Sequence, residues 1–111
     1  MGRSGIATVP RSAAVFAALG DETRLRMVAR LCRQGPMSIA RLTDGFAITR
    51  QAITKHLRVM KAAGLVSRSR NGRETVWHVE QKRLADAEQY LDAIATQWDE
   101  TLDRLKAFVE R

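Results

Sequence analysis

Apolar positions in the first part of the chain recur at intervals of three and four residues, which is the spacing of one helix face. The pattern predicts a short first helix that stops at Gly20 and a second helix that Asp21 opens and Gly35 closes. The inward positions of the second helix are Leu25, Val28, Leu31 and Cys32. A third helix is predicted over residues 38–46, with Ser38 as its N-cap.

A fourth helix follows after only three residues and has its own start and stop signals. Thr49 suits its N-cap, and Gly64 suits the left-handed position just past its end. Ile53, Leu57 and Met60 share the inward face. The outward face has no acidic residue. It consists of Arg50, Gln51, Thr54, Lys55, Arg58 and Lys61. Two helices joined by so tight a turn predict a helix-turn-helix motif whose second helix is basic.

The next segment predicts a β-hairpin. Asn71-Gly72 between two β-prone runs indicates a two-residue turn in which both residues have φ > 0. We expect strands at about residues 65–70 and 73–79, with Trp77 packed toward the core. The arginines near the tip are Arg68, Arg70 and Arg73. Because side chains alternate along a strand, about two of these three should reach the same surface. A basic hairpin directly after a helix-turn-helix is a wing.

One long amphipathic helix is predicted for the rest of the chain. Its apolar residues form a nearly continuous stripe, at spacings of three and four. The stripe consists of Leu84, Ala87, Leu91, Ile94, Trp98, Leu102, Leu105 and Val109. A small core has nothing left to cover such a stripe, and docking on the first helix accounts for only part of it. We therefore expect a homodimer, with Val15 and Phe16 of the first helix joining the stripe in its interface.

Charge is distributed unevenly along the 111 residues. The net charge is +7 and the isoelectric point is near 10.7. Residues 48–79 contain seven bases and one acid, whereas residues 80–111 contain eight acids and five bases. A basic middle beside a mildly acidic tail predicts a nucleic-acid-binding surface next to a segment with another task.

The length fits one domain, mainly α with a small β-hairpin. Hydrophobic residues make up 45% of the chain, which is typical of a sequence that folds. We predict a flexible N-terminus over residues 1–10 and a winged helix-turn-helix DNA-binding part over residues 11–79. Residues 80–111 are the predicted dimerisation helix of the same domain.

Several function classes lack their signatures. The chain shows no apolar core of a secretory signal and no stretch near the roughly 18 apolar residues of a membrane span. Without a nucleophile elbow or a phosphate-binding glycine loop, we expect neither an enzyme nor a cofactor. His56 and His78 are not at metal-ligand spacing, which excludes a zinc motif. Cys32 is the single cysteine, so no internal disulfide forms and a cytoplasmic location is expected.

Three segments together resemble the ArsR/SmtB family of bacterial winged-helix repressors. They are ALGDETRLRMVARL, ITKHLRVMKAAGLV and RNGRETVWHV, and the resemblance runs from about Val15 to Phe108. It implies a homodimeric DNA-binding repressor. Metal-sensing members carry a Cys-x-Cys pair near the positions of Thr43 and Gly45, and another subclass uses histidines on the last helix, where this chain has none. The resemblance therefore implies a member without a metal motif, although acids on the last helix leave a hard-metal site between subunits open.

On this interpretation the fourth helix enters the major groove of double-stranded DNA. Its N-terminal part reaches deepest, so Arg50, Gln51 and Thr54 are the candidates for reading bases. The candidates for phosphate or wing contacts are Ser38, Lys55, His56, Arg58, Lys61, Arg68, Arg70 and Arg73. For His56 a packing role is an open alternative. Two-fold symmetry predicts a pseudo-palindromic operator with half-sites about 34–36 Å apart.

Two other interpretations stay open at the level of sequence. The same module could respond to a small ligand, a metal or a redox signal, with Cys32 as the only redox candidate and no motif that names an effector. Alternatively, the long helix could recruit a different protein, and the basic face would then have only non-specific DNA affinity. The mass in solution separates these cases, since a monomer favours the interaction module.

Overall fold

The computed structural model of the chain describes residues 12–110. Its elements in chain order are α1 (residues 12–19), α2 (Glu22–Gln34), α3 (Ile39–Thr43), α4 (Arg50–Ala62), β1 (Val66–Asn71), β2 (Glu74–Val79) and α5 (Gln81–Val109). The predicted fold class, mainly α with a small β-hairpin and a long last helix, is confirmed. The predicted flexible N-terminus, residues 1–10, lies outside the described residues.

Three of the helices begin at the predicted N-caps. The cap bonds run from Arg24 N to Asp21 Oδ2 at 2.9 Å, from Arg41 N to Ser38 Oγ at 3.2 Å, and from Ala52 N to Thr49 Oγ1 at 3.1 Å. Gly64 ends α4 with φ of 77°, and the amides of Gly64 and Leu65 donate to carbonyls of the last turn. This is a Schellman-type end that a residue with a Cβ would strain. Local sequence signals therefore set both ends of α4.

Replacing Thr49 by alanine is expected to lower the free energy of unfolding by about 1 kcal/mol. The Ala52 N–H donates to the Thr49 hydroxyl, and alanine removes that acceptor. Thr49→Ser keeps the acceptor and should stay within a few tenths of a kcal/mol of the parent chain. Urea denaturation at one fixed protein concentration measures both variants. Equal losses in the two variants would contradict the capping role.

The core lies between α1, α2, α4 and the root of the hairpin. The predicted inward residues of α4, Ile53, Leu57 and Met60, are completely buried. Two predictions for α2 are wrong: Leu25 is 53% exposed, and Cys32 is exposed instead of inward. The buried residues of α2 are Met27, Val28 and Leu31. Leu25 and Cys32 lie on the same side of α2, about 100° around the helix from the middle of that buried arc and beyond its edge.

The third helix is shorter than predicted, because it ends at Thr43 instead of continuing to residue 46. The amides of residues 44–46 donate to carbonyls three residues back, which tightens the chain into turns. Arg30 of α2 reaches this corner and donates from Nη1 to the Leu42 carbonyl at 2.8 Å. A Cβ at Gly45 would meet the Arg30 guanidinium, so a larger residue there would have to displace this side chain from the Leu42 carbonyl.

The hairpin has the predicted strands but a different turn. β1 and β2 pair antiparallel from Val66 opposite Val79 to Asn71 opposite Glu74, so the two turn residues are Gly72 and Arg73. Of the two turn residues only Gly72 has positive φ, at 68°. Asn71 belongs to β1, so the predicted Asn71-Gly72 turn is wrong. Glycine in the first position with an ordinary second residue is the pattern of a type II′ turn, which suits the strand twist equally well.

A single residue outside the hairpin adds to its sheet. Met37 forms an antiparallel bridge with Trp77, in which the Met37 N lies 3.1 Å from the Trp77 O and the Trp77 N lies 2.8 Å from the Met37 O. Both side chains are buried. The root of the wing is therefore attached to the segment between α2 and α3.

The long helix α5 has one buried end and one exposed end. Ala87 is buried, Leu84 is half-buried, and Tyr90 faces Phe16 of α1 with ring centroids 6.2 Å apart. Between residues 91 and 110 every side chain but one half-buried threonine is exposed, although α5 continues for about five turns past Leu91. The exposed apolar residues are Leu91, Ile94, Trp98, Leu102, Leu105, Phe108 and Val109. Within residues 12–110, no helix has the length and apolar character needed to cross a membrane.

Two residues predicted for the dimer interface are inside the chain's own core. Val15 of α1 is 1% exposed, and Ala87 of α5 is 2% exposed. They pack with the residues of α2 and α4, so no partner subunit is needed to cover them. The part of the predicted stripe left uncovered begins at Leu91.

Candidate nucleic-acid interface

The outward face of α4 presents the predicted base-reading residues together. Arg50, Gln51 and Thr54 line one shallow depression of about 330 Å³, and Arg58, predicted to contact phosphate, lines it too. The side chains of Arg50, Gln51 and Arg58 are exposed. The Thr54 hydroxyl donates to the Arg50 carbonyl at 2.9 Å, which leaves its methyl group and an oxygen lone pair for other contacts. The depression thus combines guanidinium and amide donors on one surface.

The rest of this face is also cationic and free of acids. Lys55 and Lys61 are exposed, and α4 carries no aspartate or glutamate. Among residues 12–110, the only ion pair within 4.0 Å joins Arg26 and Glu22 on α2. None of the α4 cations is therefore neutralised by a neighbouring carboxylate, and a polyanion would meet all four of them unpaired.

The wing arginines are divided between one strand face and the turn. Arg68 and Arg70 are two residues apart on β1 and so share a face, while Arg73 lies in the turn. The Arg68 guanidinium carbon is 5.9 Å from the centre of the Trp77 ring, within the range of a cation–π contact. Trp77 is buried, so its ring is not available for stacking on bases. Arg70 and Arg73 are exposed nearer the tip.

Two further phosphate candidates are partly buried. The Ser38 oxygen accepts the Arg41 amide as a cap, and the serine is half-buried. His56 is half-buried on α4, and its Nδ1 lies 3.3 Å from Nη1 of Arg24. The same arginine donates from Nε to the Ala18 carbonyl at 2.6 Å. Sequence reasoning missed Arg24, and its only signal was a charged side chain on the inward arc of α2.

Comparison with known proteins decides the family. A family model described as a helix-turn-helix domain matches residues 19–68. The structure of an ArsR-like transcriptional regulator from Rhodococcus sp. RHA1 superposes with a TM-score of 0.81 and 35% sequence identity, covering 92% of this chain and 95% of that chain. This chain belongs to the ArsR family. It is a winged helix-turn-helix transcriptional regulator that binds DNA.

Two other comparisons concern activity and assembly. The transcriptional repressor SmtB of Mycobacterium tuberculosis (strain H37Rv) is 32% identical over 78 residues, which are 70% of this chain and 56% of that protein. The homodimeric winged helix-turn-helix DNA-binding domain of Mb0332 from Mycobacterium bovis, solved by NMR, gives a TM-score of 0.65 at 21% identity. It covers 94% of this chain and 92% of that one. At that identity the second likeness concerns the fold alone.

The cysteine pair of metal-sensing ArsR-family members has no counterpart here. Thr43 and Gly45 stand near its positions, and the space beside Gly45 is filled by the Arg30 guanidinium. Within residues 12–110, no three histidine, cysteine or acidic side chains are gathered so that they could hold a metal. Cys32 does not lie near α4. Together with Leu84 and Leu91 it lines an open groove of about 430 Å³ between α2 and α5.

We expect the stability of this ArsR-family regulator to depend on pH through the N-cap Asp21. The Arg24 amide donates to its carboxylate and lowers the pKa of Asp21 below its ordinary value, and nearby positive groups act in the same direction. A depressed carboxyl pKa stabilises the fold above the unfolded value of about 3.9 and stops doing so as pH falls through the folded value.

Asp21→Asn keeps a cap acceptor but removes the charge. We expect it to be less stable than the parent chain near pH 6 and to approach parent stability below pH 4. Urea midpoints of both proteins between pH 2 and pH 6 measure this difference. A difference that stays constant over the whole range would show that the Asp21 charge does not matter.

Proposed function

We propose that this ArsR-family regulator is a homodimeric repressor that recognises a pseudo-palindromic operator with α4 and the wing. The observation that carries the proposal is the outward face of α4, where Arg50, Gln51 and Arg58 are exposed together on a helix without acids. Arginine can donate two hydrogen bonds to guanine O6 and N7, and glutamine can pair with adenine N6 and N7. The N-terminal half of α4 therefore has the donor set that base reading requires.

The charges around this face support contact with the DNA backbone. Residues 48–79 have seven bases against one acid. Lys55 and Lys61 continue the face of α4, and Arg70 and Arg73 extend the positive surface along the wing. Neutralising phosphates releases counterions, so binding should weaken steeply as salt rises. Bases are read at one end of α4, while the flanking cations fix its register on the duplex.

The exposed end of α5 supports the homodimer. Seven large apolar side chains from Leu91 to Val109 are exposed in a single chain, which is rare for a monomer unless the surface binds something. A stripe spaced by three and four residues fits a second copy of the same helix. The Mb0332 domain, which has the same fold, is described as homodimeric.

The name of the relative SmtB supports repression, since that protein is a transcriptional repressor. A repressor of this kind acts on a bacterial promoter in the cytoplasm. Two-fold symmetry would place one α4 from each subunit in successive major grooves, about 34–36 Å apart. Binding across a promoter would then exclude the polymerase.

Selection of bound duplexes from a random pool tests the proposal directly. We expect a two-fold symmetric consensus, bound at about 0.15 M salt at least ~10³-fold more tightly than its scrambled duplex. The selected site placed over a promoter should lower expression of a reporter gene when the protein is present. Equal, strongly salt-dependent binding to both duplexes would overturn sequence recognition and leave only an electrostatic surface. Raised reporter expression would overturn repression alone.

A further inference from the structure

The apolar stripe of α5 is symmetric about Trp98. Starting at Ala87, its successive spacings are 4, 3, 4, 4, 3 and 4 residues, and they read the same in both directions. The pairs at equal distances from Trp98 are Leu91 with Leu105 and Ile94 with Leu102. Trp98 and these four side chains are exposed in the single chain. The helix therefore presents the same apolar pattern when it is turned end over end.

This pattern also stays on one face of a straight helix. Its positions recur after 11 residues, as they do at residues 87, 98 and 109. A repeat of 11 residues has about 3.67 residues per turn, close to the 3.6 of an α-helix, so the stripe drifts only about 20° over each repeat. Two copies of α5 can thus pack side by side without strong supercoiling.

The residues beside the stripe favour an antiparallel pair over a parallel one. Glu88 and Lys106 lie on one flank, each about 80° around the helix from the middle of the stripe, and Tyr90 and Phe108 lie about 80° away on the other flank. In a two-fold antiparallel pair each flank meets its own copy. With Trp98 at the centre, Glu88 then comes within about 3 Å, along the helix axis, of the level of Lys106 of the partner subunit. A parallel pair would instead place each of these charges beside an aromatic ring.

The side chains on both flanks have capacity for such contacts. Glu88 and Lys106 are exposed, and neither has an ion pair among residues 12–110. Tyr90 and Phe16 of α1 are half-buried with ring centroids 6.2 Å apart, while Phe108 is 73% exposed. An exposed ring at one end of α5 and a half-covered aromatic pair at the other end are complementary surfaces.

On the basis of the proposed homodimer, we propose that two α5 helices pair antiparallel with Trp98 on the two-fold axis, so that Phe108 of the partner subunit packs on Tyr90 and Phe16. The occupant of the stripe is then a second copy of this chain. The last turn of each α5 reaches the point at which the other leaves its own core. The two Ala87 residues lie about 33 Å apart along the paired helices, close to the 34–36 Å between successive major grooves.

Charge reversal tests the flank that carries Glu88. Glu88→Lys and Lys106→Glu should each weaken dimerisation roughly 3- to 10-fold, because each places like charges opposite each other at two symmetric positions. The double variant restores opposite charges and should return to within about 3-fold of the parent. Asp92→Lys makes the same change one turn further on, about 120° from the middle of the stripe, and should have little effect. Losses that simply add in the double variant would overturn the pairing of Glu88 with Lys106 of the partner subunit.

Proton NMR of Tyr90, the only tyrosine, tests the aromatic flank. Its ring signals should shift when the protein dimerises, and Phe108→Ala should abolish this shift. Phe108→Ala should also weaken dimerisation at least ~10-fold, since the ring is no longer buried. Val109→Ala changes the neighbouring residue of the same turn and should leave the Tyr90 signals nearly unchanged. Identical Tyr90 signals in the dimers of the parent and of Phe108→Ala would overturn the contact.

Disulfide trapping between single-cysteine chains tests direction and register. All variants carry Cys32→Ser, which removes the only natural cysteine. Leu91→Cys and Leu105→Cys, mixed under a mild oxidant, should link, because a disulfide requires Cα atoms within about 7 Å. Each variant alone should link little, since its two copies lie about 21 Å apart along the helices. Ala93→Cys mixed with Leu105→Cys is the matched control and should not link, because Ala93 lies outside the stripe.

The outcomes separate this inference from the proposed function. Leu91→Cys that links to itself as readily as to Leu105→Cys would show a parallel pair and overturn the inference. Leu91→Cys that links preferentially to Trp98→Cys would show a shifted register and overturn it as well. Either result, or no linking at all, in a parent protein that sediments as a dimer leaves the proposed homodimer intact. A parent protein that sediments as a monomer would overturn both.

Discussion

Replacing Ile94 by lysine is expected to halve the mass of the protein in solution, from a 24.8 kDa dimer, twice the chain mass, to the 12.4 kDa monomer. Ile94 is the second residue of the exposed apolar stripe of α5, and it is not among the residues packed on the core of its own chain. A lysine there would have to be buried without a partner when two stripes pair, which opposes association. The fold of the single chain should be unaffected, since nothing in it rests on this side chain.

Operator affinity should fall by about 10²-fold or more in the same variant. In a dimer, binding of one half-site holds the second α4 near the other half-site, and a monomer loses this high effective concentration. Sedimentation equilibrium and titration of the selected duplex measure the two effects.

Ala93→Lys is the matched control, because it adds the same charge one residue away and outside the stripe. It should remain a dimer with nearly unchanged affinity. A parent chain that is already a monomer would contradict the homodimer and favour a different protein as the partner of α5. If Ile94→Lys keeps the dimer mass of the parent protein, the dimer interface does not include the apolar stripe of α5.

Arg50→Ala is expected to reduce discrimination at one base pair of each half-site by about 1–3 kcal/mol, or roughly 5- to 150-fold. Arg50 lies in the first turn of α4, exposed and without an ion-pair partner among residues 12–110. Its loss should leave binding to scrambled DNA only slightly weaker. Arg50→Lys keeps the charge but not the two-pronged donor geometry, so it should also lose discrimination.

Lys61→Ala is the comparison for Arg50, because it removes one cation from the last turn of the same helix. It should weaken all duplexes about equally and lower the slope of log affinity against log salt by about one. Titrations of the selected duplex, of single-base variants and of a scrambled duplex at three salt concentrations separate the two patterns. Uniform weakening in both variants would show that Arg50 contacts the backbone instead of a base.

Features set by local chemistry were predictable from the sequence. Thr49 and Gly64 define α4 because capping depends on the hydroxyl acceptor at one end and on positive φ at the other. The period of three and four also placed Ile53, Leu57 and Met60 inward, and all three are buried. The outward face of α4 followed as the remainder of the same helix.

Features that depend on distant groups were not predictable in this way. Leu25 and Cys32 were expected to face inward because their spacing fits the apolar face of α2, but which part of that face is covered depends on the elements packed against it, and these cover Met27, Val28 and Leu31. The bridge between Met37 and Trp77 joins residues forty positions apart through backbone atoms, for which side-chain patterns contain no signal. The turn at Gly72 is displaced by one residue because two turn types place glycine differently and both satisfy the strand twist.

The stripe on α5 illustrates a further limit of periodicity. Ala87 and Leu91 belong to the same helical face, yet Ala87 is buried in its own chain and Leu91 is 53% exposed. The spacing of apolar residues predicts which side chains avoid water, but it does not predict which surface covers them. Stripe residues before Leu91 are covered by the chain's own core, and those from Leu91 onward are not, because α5 extends past the core at that point.

The bridge at Trp77 also has a mechanical consequence for the wing. β2 is bonded on both sides at its root, to Met37 and to β1, but only to β1 near Gly72. A two-stranded ribbon that is attached at one end bends most easily near the other end. We therefore expect Arg68, opposite Trp77, to keep its position relative to the core, while Arg70 and Arg73 near the turn move more freely. The wing is therefore anchored at its base and least constrained at its turn.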